Sequence, residues 1–170
     1  MMLKNLGRIL KHLCYGSWRL RRVLPRHALE AIAEAIRESE AGHGGEIRVA
    51  VEIALDWRRL LRRETPRERA LEVFSDLRVW DTERNNGVLI YLLLADHDVE
   101  IVADRGIDRL VGAEAWEQIC HEMEAAFRKG NFEGGILAGV RAVGAHLERH
   151  FPGPDVHGDE LANYPVIIDG

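Results

Sequence analysis

The chain of 170 residues is 46% hydrophobic, which is enough apolar material to bury one core, so a single domain is expected. Its formal net charge of -5 argues against a nucleic-acid partner. The two cysteines, Cys14 and Cys120, do not form a CxxC pair, which excludes a disulfide framework and a zinc ribbon. A reducing, cytoplasmic location is expected.

Residues 1–24 form a basic, amphipathic N-terminal arm. They contain six Lys or Arg and no Asp or Glu. The apolar residues at helical spacing are Leu3, Leu6, Ile9, Leu10 and Leu13. Because charged residues interrupt them, this stretch is neither the core of a signal peptide nor a membrane span. The predicted helix is expected to pack on the domain, with attachment to a membrane surface or a partner helix as the alternative.

Residues 25–151 are predicted to form one α/β domain. Alternating apolar residues over Ile47–Leu55 indicate a strand with one buried face. Val88–Leu94 is apolar almost throughout, which is typical of a central strand covered on both faces. After a short loop, Val99–Ala103 returns as the second strand of a hairpin. The predicted fold is a small mixed β-sheet, a parallel pair plus an antiparallel hairpin, sandwiched by helices.

The remaining stretches are expected to cover or extend this sheet. Asp56–Glu64 is rich in arginine and is expected to loop over the surface. Apolar residues at helical spacing predict helices over Ala113–Lys129 and Glu133–His150. Residues 152–170 are predicted to be an irregular tail, in which Pro165–Ile168 can add an edge strand.

The hairpin geometry gathers polar residues at one rim of the sheet. If the loop 95–98 sets the register, opposed residue numbers sum to about 193, which places Gly106 opposite Gly87. It also places Asp104 opposite Leu89. Parallel pairing brings the start of the first strand to the same end. The residues that this gathers are Glu46, Asp81, Asn85, Asn86, Asp104 and Arg105.

Carboxylate and amide oxygens gathered in this way suit Ca²⁺ or Mg²⁺, and they can also orient a phosphate-bearing group. The predicted metal ligands are Glu46, Asp81, Asn85, Asn86 and Asp104. The alternative is a turn and a strand exit without a ligand. In that case the asparagines serve a left-handed backbone, and Asp104 forms a surface ion pair with Arg105.

Polar residues also lie at the opposite rim, at the carboxyl ends of the parallel strands, where open α/β sheets often bind ligands. They are Asp56, Asp96, His97 and Asp98. Adjacent residues of a turn rarely all point one way, so a solvated hairpin tip is the preferred interpretation.

Other candidate chemistry is weak. Glu117, His121 and Glu124 share a helical face but lack the rest of a zinc-enzyme motif, so a solvated face is expected. No serine lies in a nucleophile-elbow pattern. Cys120 falls on a predicted buried stripe. The sequence therefore offers no evident nucleophile.

Several short motifs occur together between Pro25 and Phe151. They are Gly45-Glu46-Ile47-Arg48-Val49, Val79-Trp80, Asn85-Asn86-Gly87-Val88-Leu89-Ile90, the acidic hairpin at Asp96, Arg105-Gly106-Ile107 and the run Phe127–Ile136. In this combination the sequence resembles the TPM domain family, whose members include plant thylakoid-lumen proteins linked to photosystem II repair and many bacterial proteins. The closing Pro165-Val166-Ile167 resembles a short soluble bacterial branch.

The resemblance implies an α/β sandwich with a small central sheet, calcium binding as in some members, and a phosphatase activity as attributed to some. The motif positions of the family correspond to Asn85, Asn86, Gly87, Arg105 and Gly106. Many relatives are exported and anchored in a membrane. This sequence shows neither a signal nor a span, which again favours a cytoplasmic location. At position 104 an aspartate stands where many members have a small residue.

Two functions follow as hypotheses. The first is a divalent-cation-binding module with at most weak phosphatase activity on a small phosphorylated substrate. In that case Arg105 would hold the phosphate and Asp104 would be a metal ligand or a base. The second is a noncatalytic adaptor, peripheral to the inner membrane, that engages a membrane protein or the membrane surface through its basic arm.

Overall fold

The structure is a computed structural model that describes residues 2–153 and 161–169, with side chains described from Leu6 onward. Within these residues the chain forms eight helices and four strands. The helices are α1 (Met2–Leu13), α2 (Ser17–Val23), α3 (Arg26–Glu40), α4 (Trp57–Leu61), α5 (Pro66–Asp76), α6 (Arg105–Val111), α7 (Ala113–Arg128) and α8 (Phe132–His150). The strands are β1 (Glu46–Glu52), β2 (Gly87–Leu93), β3 (Asp98–Ala103) and β4 (Val166–Ile168).

The strands form one mixed sheet in the order β3-β2-β1-β4. β1 and β2 are parallel, and β2 and β3 form the antiparallel hairpin, which confirms the predicted α/β fold. β4, from the C-terminal tail, adds a parallel edge strand beside β1. Part of the predicted irregular tail, residues 154–160, lies outside the described residues.

β2 is the buried axis of the fold. All of its residues are buried, because helices cover both faces of the sheet. Its even-numbered residues pack into a core with α3, α7 and α8. Leu89, Tyr91 and Leu93 point to the other face and pack into a smaller core under α5. A strand that is apolar at every position fits this double coverage.

The hairpin register differs by two residues from the prediction. Asp104 lies opposite Gly87 rather than Leu89, and its N–H donates to the Gly87 carbonyl at 2.8 Å. The turn has the predicted length of four residues but lies one residue earlier, at 94–97, and His97 at its end adopts a left-handed backbone with φ 56°. Asp98 therefore already belongs to β3. A shift of two residues keeps each side chain on its predicted face, because side chains alternate with a period of two.

Two short helices replace stretches that were predicted to be irregular or extended. The carboxylate of Asp56 accepts backbone N–H groups and caps α4, so the prediction of a loop over Asp56–Glu64 is wrong at its start. Asp104 is the N-cap of α6 and accepts the N–H of Arg105, and Gly106 lies in the first turn of that helix rather than in a strand. Both corrections have one cause, because aspartate is among the strongest N-cap residues.

The arm docks on the tip of the hairpin between β2 and β3. Nε of Arg8 lies 2.9 Å from Oδ2 of Asp96. The Tyr15 hydroxyl lies 3.0 Å from Nε2 of His97. The prediction of a solvated tip is therefore wrong for Asp96 and His97, which are half-buried. None of the helices in the described part of the chain is long and apolar enough to span a membrane.

Candidate functional site

Asp104 lies at the predicted rim, where β3 ends and α6 begins. Its Oδ1 accepts a hydrogen bond from the N–H of Arg105 at 2.7 Å. Its Oδ2 is buried and has no hydrogen-bond partner among the described residues, and the whole residue is only 8% exposed. A buried carboxylate oxygen without a partner is costly. This oxygen is therefore free to accept a ligand from outside the described residues, such as a water molecule or a cation.

Asn85 brings further oxygen atoms to the same place. It adopts a left-handed backbone with φ 51°, which asparagine tolerates. Its Oδ1 lies 3.4 Å from Nε of Arg105. The carbonyl groups of Arg84 and Asn85 approach Gly106 so closely that a Cβ there would lie 2.9 and 2.3 Å from their oxygens. The structure thus brings the Asn85 turn against the segment Asp104–Gly106.

The other predicted ligands have different surroundings. Oε2 of the buried Glu46 accepts the N–H of Leu161 at 3.1 Å. The buried side-chain amide of Asn86 donates to the Gly44 carbonyl at 2.5 Å. Asp81 is exposed in the loop that precedes β2. Glu46 therefore ties the C-terminal tail to the sheet, and Asn86 ties down the loop that enters β1.

The backbone of Val79 separates Glu46 from Asp104. These two residues flank Gly87 on its two neighbouring strands, and opposed residues share a face of the sheet. A Cβ on Gly87 would lie 2.0 Å from the Val79 carbonyl oxygen, so that backbone fills the space above Gly87. Accordingly, in residues 2–153 and 161–169 no three His, Cys, Asp or Glu side chains are grouped so as to hold a metal. An ion at this rim would rely on Asp104 together with carbonyl and amide oxygens.

A buried polar network that sequence reasoning missed lies at the far end of β1. Glu52 is 1% exposed, and its Oε2 accepts hydrogen bonds from the Tyr91 hydroxyl at 2.7 Å and from Nε of Arg69 at 2.8 Å. Burial and the charge of Glu52 raise the pKa of Tyr91, so its hydroxyl remains a donor. Burial alone would lower the pKa of Arg69, but the bond to Glu52 raises it. The network links β1, β2 and α5. The guanidinium of Arg69 and the hydroxyl of Tyr91 are both hydrogen-bonded to the carboxylate of Glu52.

Ser39 and His43 form a pair that does not activate the serine. Oγ of Ser39 lies 2.9 Å from Nε2 of His43. Nδ1 of His43 accepts the N–H of Gly45 at 3.2 Å, so the ring proton resides on Nε2 and faces the serine. Burial lowers the pKa of His43 and favours this neutral form. A histidine that donates to a serine cannot take its proton, so the pair is not a nucleophile and its base.

An acidic groove of about 490 Å³ lies between β3 and α7. Its carboxylates are Asp98, Glu100, Asp108, Glu117 and Glu124. Burial, followed by the charges of Glu100 and Glu124, raises the pKa of Asp98 to about 7. Burial also raises the pKa of Glu100, although Arg67 lies 3.4 Å away. The groove is therefore a place of charge repulsion in the folded protein.

Asp98→Asn is expected to stabilise the protein by about 1–2 kcal/mol near pH 8 and to have little effect near pH 4.5. The folded-state pKa lies above the ordinary value of 3.8, so the folded chain holds this proton more tightly than the unfolded chain. Stability contributed by the protonated group is then lost as the pH rises through about 7. Urea unfolding at both pH values measures the effect, with the exposed Asp76→Asn as control. An equal change at both pH values would contradict the prediction.

Solved structures share this architecture. The BA42 protein from the psychrophilic bacterium Bizionia argentinensis, determined by NMR, is 32% identical, with a TM-score of 0.73 over 84% of this chain and 93% of that chain. The N-terminal domain of a P. gingivalis protein shares the fold at 23% identity, with a TM-score of 0.59 over 76% of this chain and 79% of that chain. No curated protein matches the chain.

A family model accounts for most of the chain. The model of the TPM domain matches residues 20–146. This match begins inside the predicted arm and ends before residue 151, and the predicted divisions at residues 24 and 151 stay predictions. With the fold shared by BA42 and the matched residues covering well over half of the sequence, the chain belongs to the TPM domain family.

Proposed function

We propose that this domain binds a divalent cation at the rim formed by Asn85 and Asp104. The observation that carries the proposal is the buried Oδ2 of Asp104, which lacks a hydrogen-bond partner among the described residues. The same rim holds other hard ligands beside Arg105 and Gly106, namely the side-chain amide oxygen of Asn85 and the carbonyls of Arg84 and Asn85, of which the Asn85 carbonyl also accepts the N–H of Ile107 at 3.3 Å. Calcium takes roughly 6–8 oxygens from carboxylates, amides, carbonyls and water, so water can complete such a set.

Calcium suits this rim better than magnesium. Mg²⁺ demands near-octahedral geometry and gives up its water reluctantly, whereas Ca²⁺ accepts irregular sets of carbonyl oxygens. Asp104 is the one charged ligand at the centre of the proposal, so binding is expected at roughly millimolar calcium rather than lower. Calcium binding by some TPM-domain proteins supports the same choice.

Glu46, Asp81 and Asn86 remain predicted ligands with weaker support. Glu46 and Asn86 already hold Leu161 and Gly44, and Asp81 is exposed. Their contribution is tested separately from that of Asp104, through Glu46→Gln and Asp81→Asn.

Asp104→Asn is expected to abolish calcium binding while the metal-free protein becomes more stable. Asparagine caps a helix as well as aspartate does, so α6 keeps its cap, while a neutral NH2 group replaces the unpartnered, charged oxygen. With a chelator present, the variant should exceed the wild type by about 1–2 kcal/mol in free energy of unfolding. Added calcium should then stabilise only the wild type. Calorimetric titration and thermal unfolding with and without calcium measure both effects.

Asp76→Asn is the matched control, because it removes an exposed carboxylate from α5, and it should bind calcium as the wild type does. Two results would refute the proposal. One is a wild type that binds neither Ca²⁺ nor Mg²⁺ at roughly millimolar concentration. The other is an Asp104→Asn variant that binds as well as the control.

Phosphatase activity is proposed to be weak at most. Arg105 is exposed beside the rim, where it can hold a phosphate, and a bound cation would polarise a phosphoryl oxygen. Burial raises the pKa of the Cys120 thiol to about 12, so that group is no nucleophile either. Slow phosphate release from a generic phosphomonoester should be lost in Asp104→Asn and in Arg105→Gln. It should persist in Arg109→Gln, which changes an exposed arginine elsewhere on α6.

A cytoplasmic location is part of the same proposal. Cys14 and Cys120 are both free, and Cys14 is exposed. Exposed free thiols are typical of a reducing compartment.

A further inference from the structure

The arm places the polar side of α1 against the domain. Arg8 pairs with Asp96 at 2.9 Å, and its Nη1 donates to the Glu64 carbonyl at 3.1 Å. Nδ1 of His12 accepts the N–H of Leu55 at 2.9 Å, and its Nε2 lies 3.1 Å from Asp96. Burial alone would raise the pKa of Asp96, but His12 and Arg8 hold it below its ordinary value, so Asp96 stays charged. Polar contacts, and not the leucines, therefore set how α1 faces the domain.

The leucines of α1 whose side chains the structure describes are exposed to solvent. Leu6, Leu10 and Leu13 are 54%, 55% and 66% exposed. They are four and three residues apart, so they form one stripe along the helix. A helix on the surface of a globular protein normally turns its apolar stripe to the core. In α1 only Ile9, among the described apolar residues of the helix, packs against the smaller core, and the leucine stripe is left in water.

Further exposed apolar residues lie on α2 and α4. α4 packs against α1, and its exposed residues Trp57 and Leu61 lie one turn apart. Leu13, Ser17 and Trp57 line one open cavity of about 500 Å³, which joins the three helices. We define the arm patch as the exposed residues Leu6, Leu10, Leu13, Trp18, Trp57 and Leu61. Tryptophan is enriched where a membrane meets water, because its ring is apolar and its N–H is polar.

Exposed basic side chains lie on the same three helices and in the turn that follows α4. They are Lys11, Arg19, Arg21, Arg22, Arg58, Arg62 and Arg63. Residues 6–24 and 57–63 contain no Asp or Glu, although the whole chain has a net charge of -5. The Arg19 guanidinium lies over the rings of Tyr15 and Trp18, and that of Arg58 lies over Trp57. These basic side chains outnumber the two acidic residues that line the same cavity, Asp56 and Asp169, so the patch carries a local positive charge, complementary to anionic headgroups.

We propose that the arm patch binds the surface of an anionic lipid bilayer, with α1, α2 and α4 lying in the plane of the interface. The leucines and tryptophans enter the boundary between headgroups and acyl chains, and the arginines contact headgroup phosphates. Basic residues spread over three helices suit a fluid surface of diffuse negative charge better than a single shaped groove on a protein. The corresponding location is peripheral to the inner membrane.

Co-sedimentation of the full chain with vesicles tests this proposal. We expect binding to vesicles of phosphatidylcholine mixed with phosphatidylglycerol, and weak binding to phosphatidylcholine alone. Replacing Leu6, Leu10 and Leu13 together by serine should weaken binding to the mixed vesicles by at least about tenfold. The matched control replaces Leu71 and Leu110, which are exposed outside the arm patch, by serine and should bind as the wild type does.

Charge and alternative occupants are tested with the same protein. Replacing Arg58, Arg62 and Arg63 by glutamine should weaken binding to the mixed vesicles, and added salt should do the same. Binding that is equal in the triple-serine and control variants would overturn the proposal. The proposal would also be overturned if the wild type bound neither kind of vesicle. It would be overturned as well if the wild type dimerised through these leucines and bound no lipid. If the triple variant fails to fold, Leu13→Ser alone, at the most exposed leucine, carries the test.

Discussion

Glu52→Ala is expected to lower the free energy of unfolding by about 3–5 kcal/mol, the range for a broken buried ion pair. Glu52 is 1% exposed and holds both Arg69 and Tyr91. Without its carboxylate, the buried guanidinium of Arg69 keeps one carboxylate partner among the described residues, Glu72, at 3.1 Å on the solvent side. The Tyr91 hydroxyl loses its acceptor inside the smaller core, where water is not at hand to replace it. The uncompensated charge of Arg69 and the unsatisfied hydroxyl of Tyr91 both contribute to the loss of stability.

Urea unfolding followed by tryptophan fluorescence measures this loss. Glu72→Ala is the matched control, because it removes a carboxylate that contacts the same arginine from a side chain that is 52% exposed. It should cost no more than about 1 kcal/mol. Tyr91→Phe removes the hydroxyl alone and should cost about 1 kcal/mol. If Glu52→Ala were no worse than Glu72→Ala, the network would not hold α5 to the sheet as described.

The central part of the fold could be predicted because its pattern admits few alternatives. A stretch such as Val88–Leu93, apolar on both faces and too short to cross a membrane, belongs in a covered central strand. The strand-helix-strand order then makes β1 and β2 parallel, and the short loop makes β3 antiparallel. Glu52 was the exception. Its position within a strand indicated a polar face, but only the fold shows that Arg69, 17 residues away, turns back to cover it.

The hairpin register could not be predicted as firmly, because it depends on the conformation of one residue. His97 adopts a left-handed backbone at the end of a four-residue turn, which spans residues 94–97 and leaves Asp98 in β3. Non-glycine residues seldom adopt this backbone, so the sequence placed a turn of the same length one residue later, at 95–98. The two-residue difference keeps each side chain on its predicted face of the sheet. It changes the residue opposite Asp104 from Leu89 to Gly87.

The candidate site was predictable in place but not in its contacts. The turn at Asn85 and the strand exit at Asp104 do meet at one rim of the sheet, through Gly106 and Arg105. The contacts of the other predicted ligands come from distant stretches of chain, however. Leu161 lies 115 residues from Glu46, which it binds, and no local pattern reports such a contact.

The orientation of the arm could not be read from its periodicity. The spacing of Leu6, Leu10 and Leu13 defines a face but not what that face meets. The direction is set by partners far along the chain, because Asp96 and the Leu55 N–H engage the polar side of α1. An apolar stripe that would ordinarily seal the core is therefore left outside.

Gly106→Ala is expected to destabilise the protein by about 3 kcal/mol, the upper end of the usual range for overpacking. A Cβ at this position would lie 2.3 Å from the Asn85 carbonyl oxygen and 2.9 Å from that of Arg84. Both obstacles are backbone atoms, so they cannot swing aside as a flexible side chain would. The variant must move either the Asn85 turn or the start of α6, and each change disturbs the rim. Calcium binding should be lost along with stability.

Gly7→Ala is the matched control, since nothing lies within 4 Å of a Cβ there and the residue sits in α1. It should leave calcium binding intact and stabilise by up to about 1 kcal/mol through helix propensity. Gly106→Ala displaces carbonyl oxygens, whereas Asp104→Asn removes a charge and keeps the cap. If both of these variants lose calcium binding but only Gly106→Ala loses stability, the ligands of the ion include backbone carbonyls as well as the carboxylate. Full calcium binding by Gly106→Ala would instead exclude those carbonyls, and with them the proposed site.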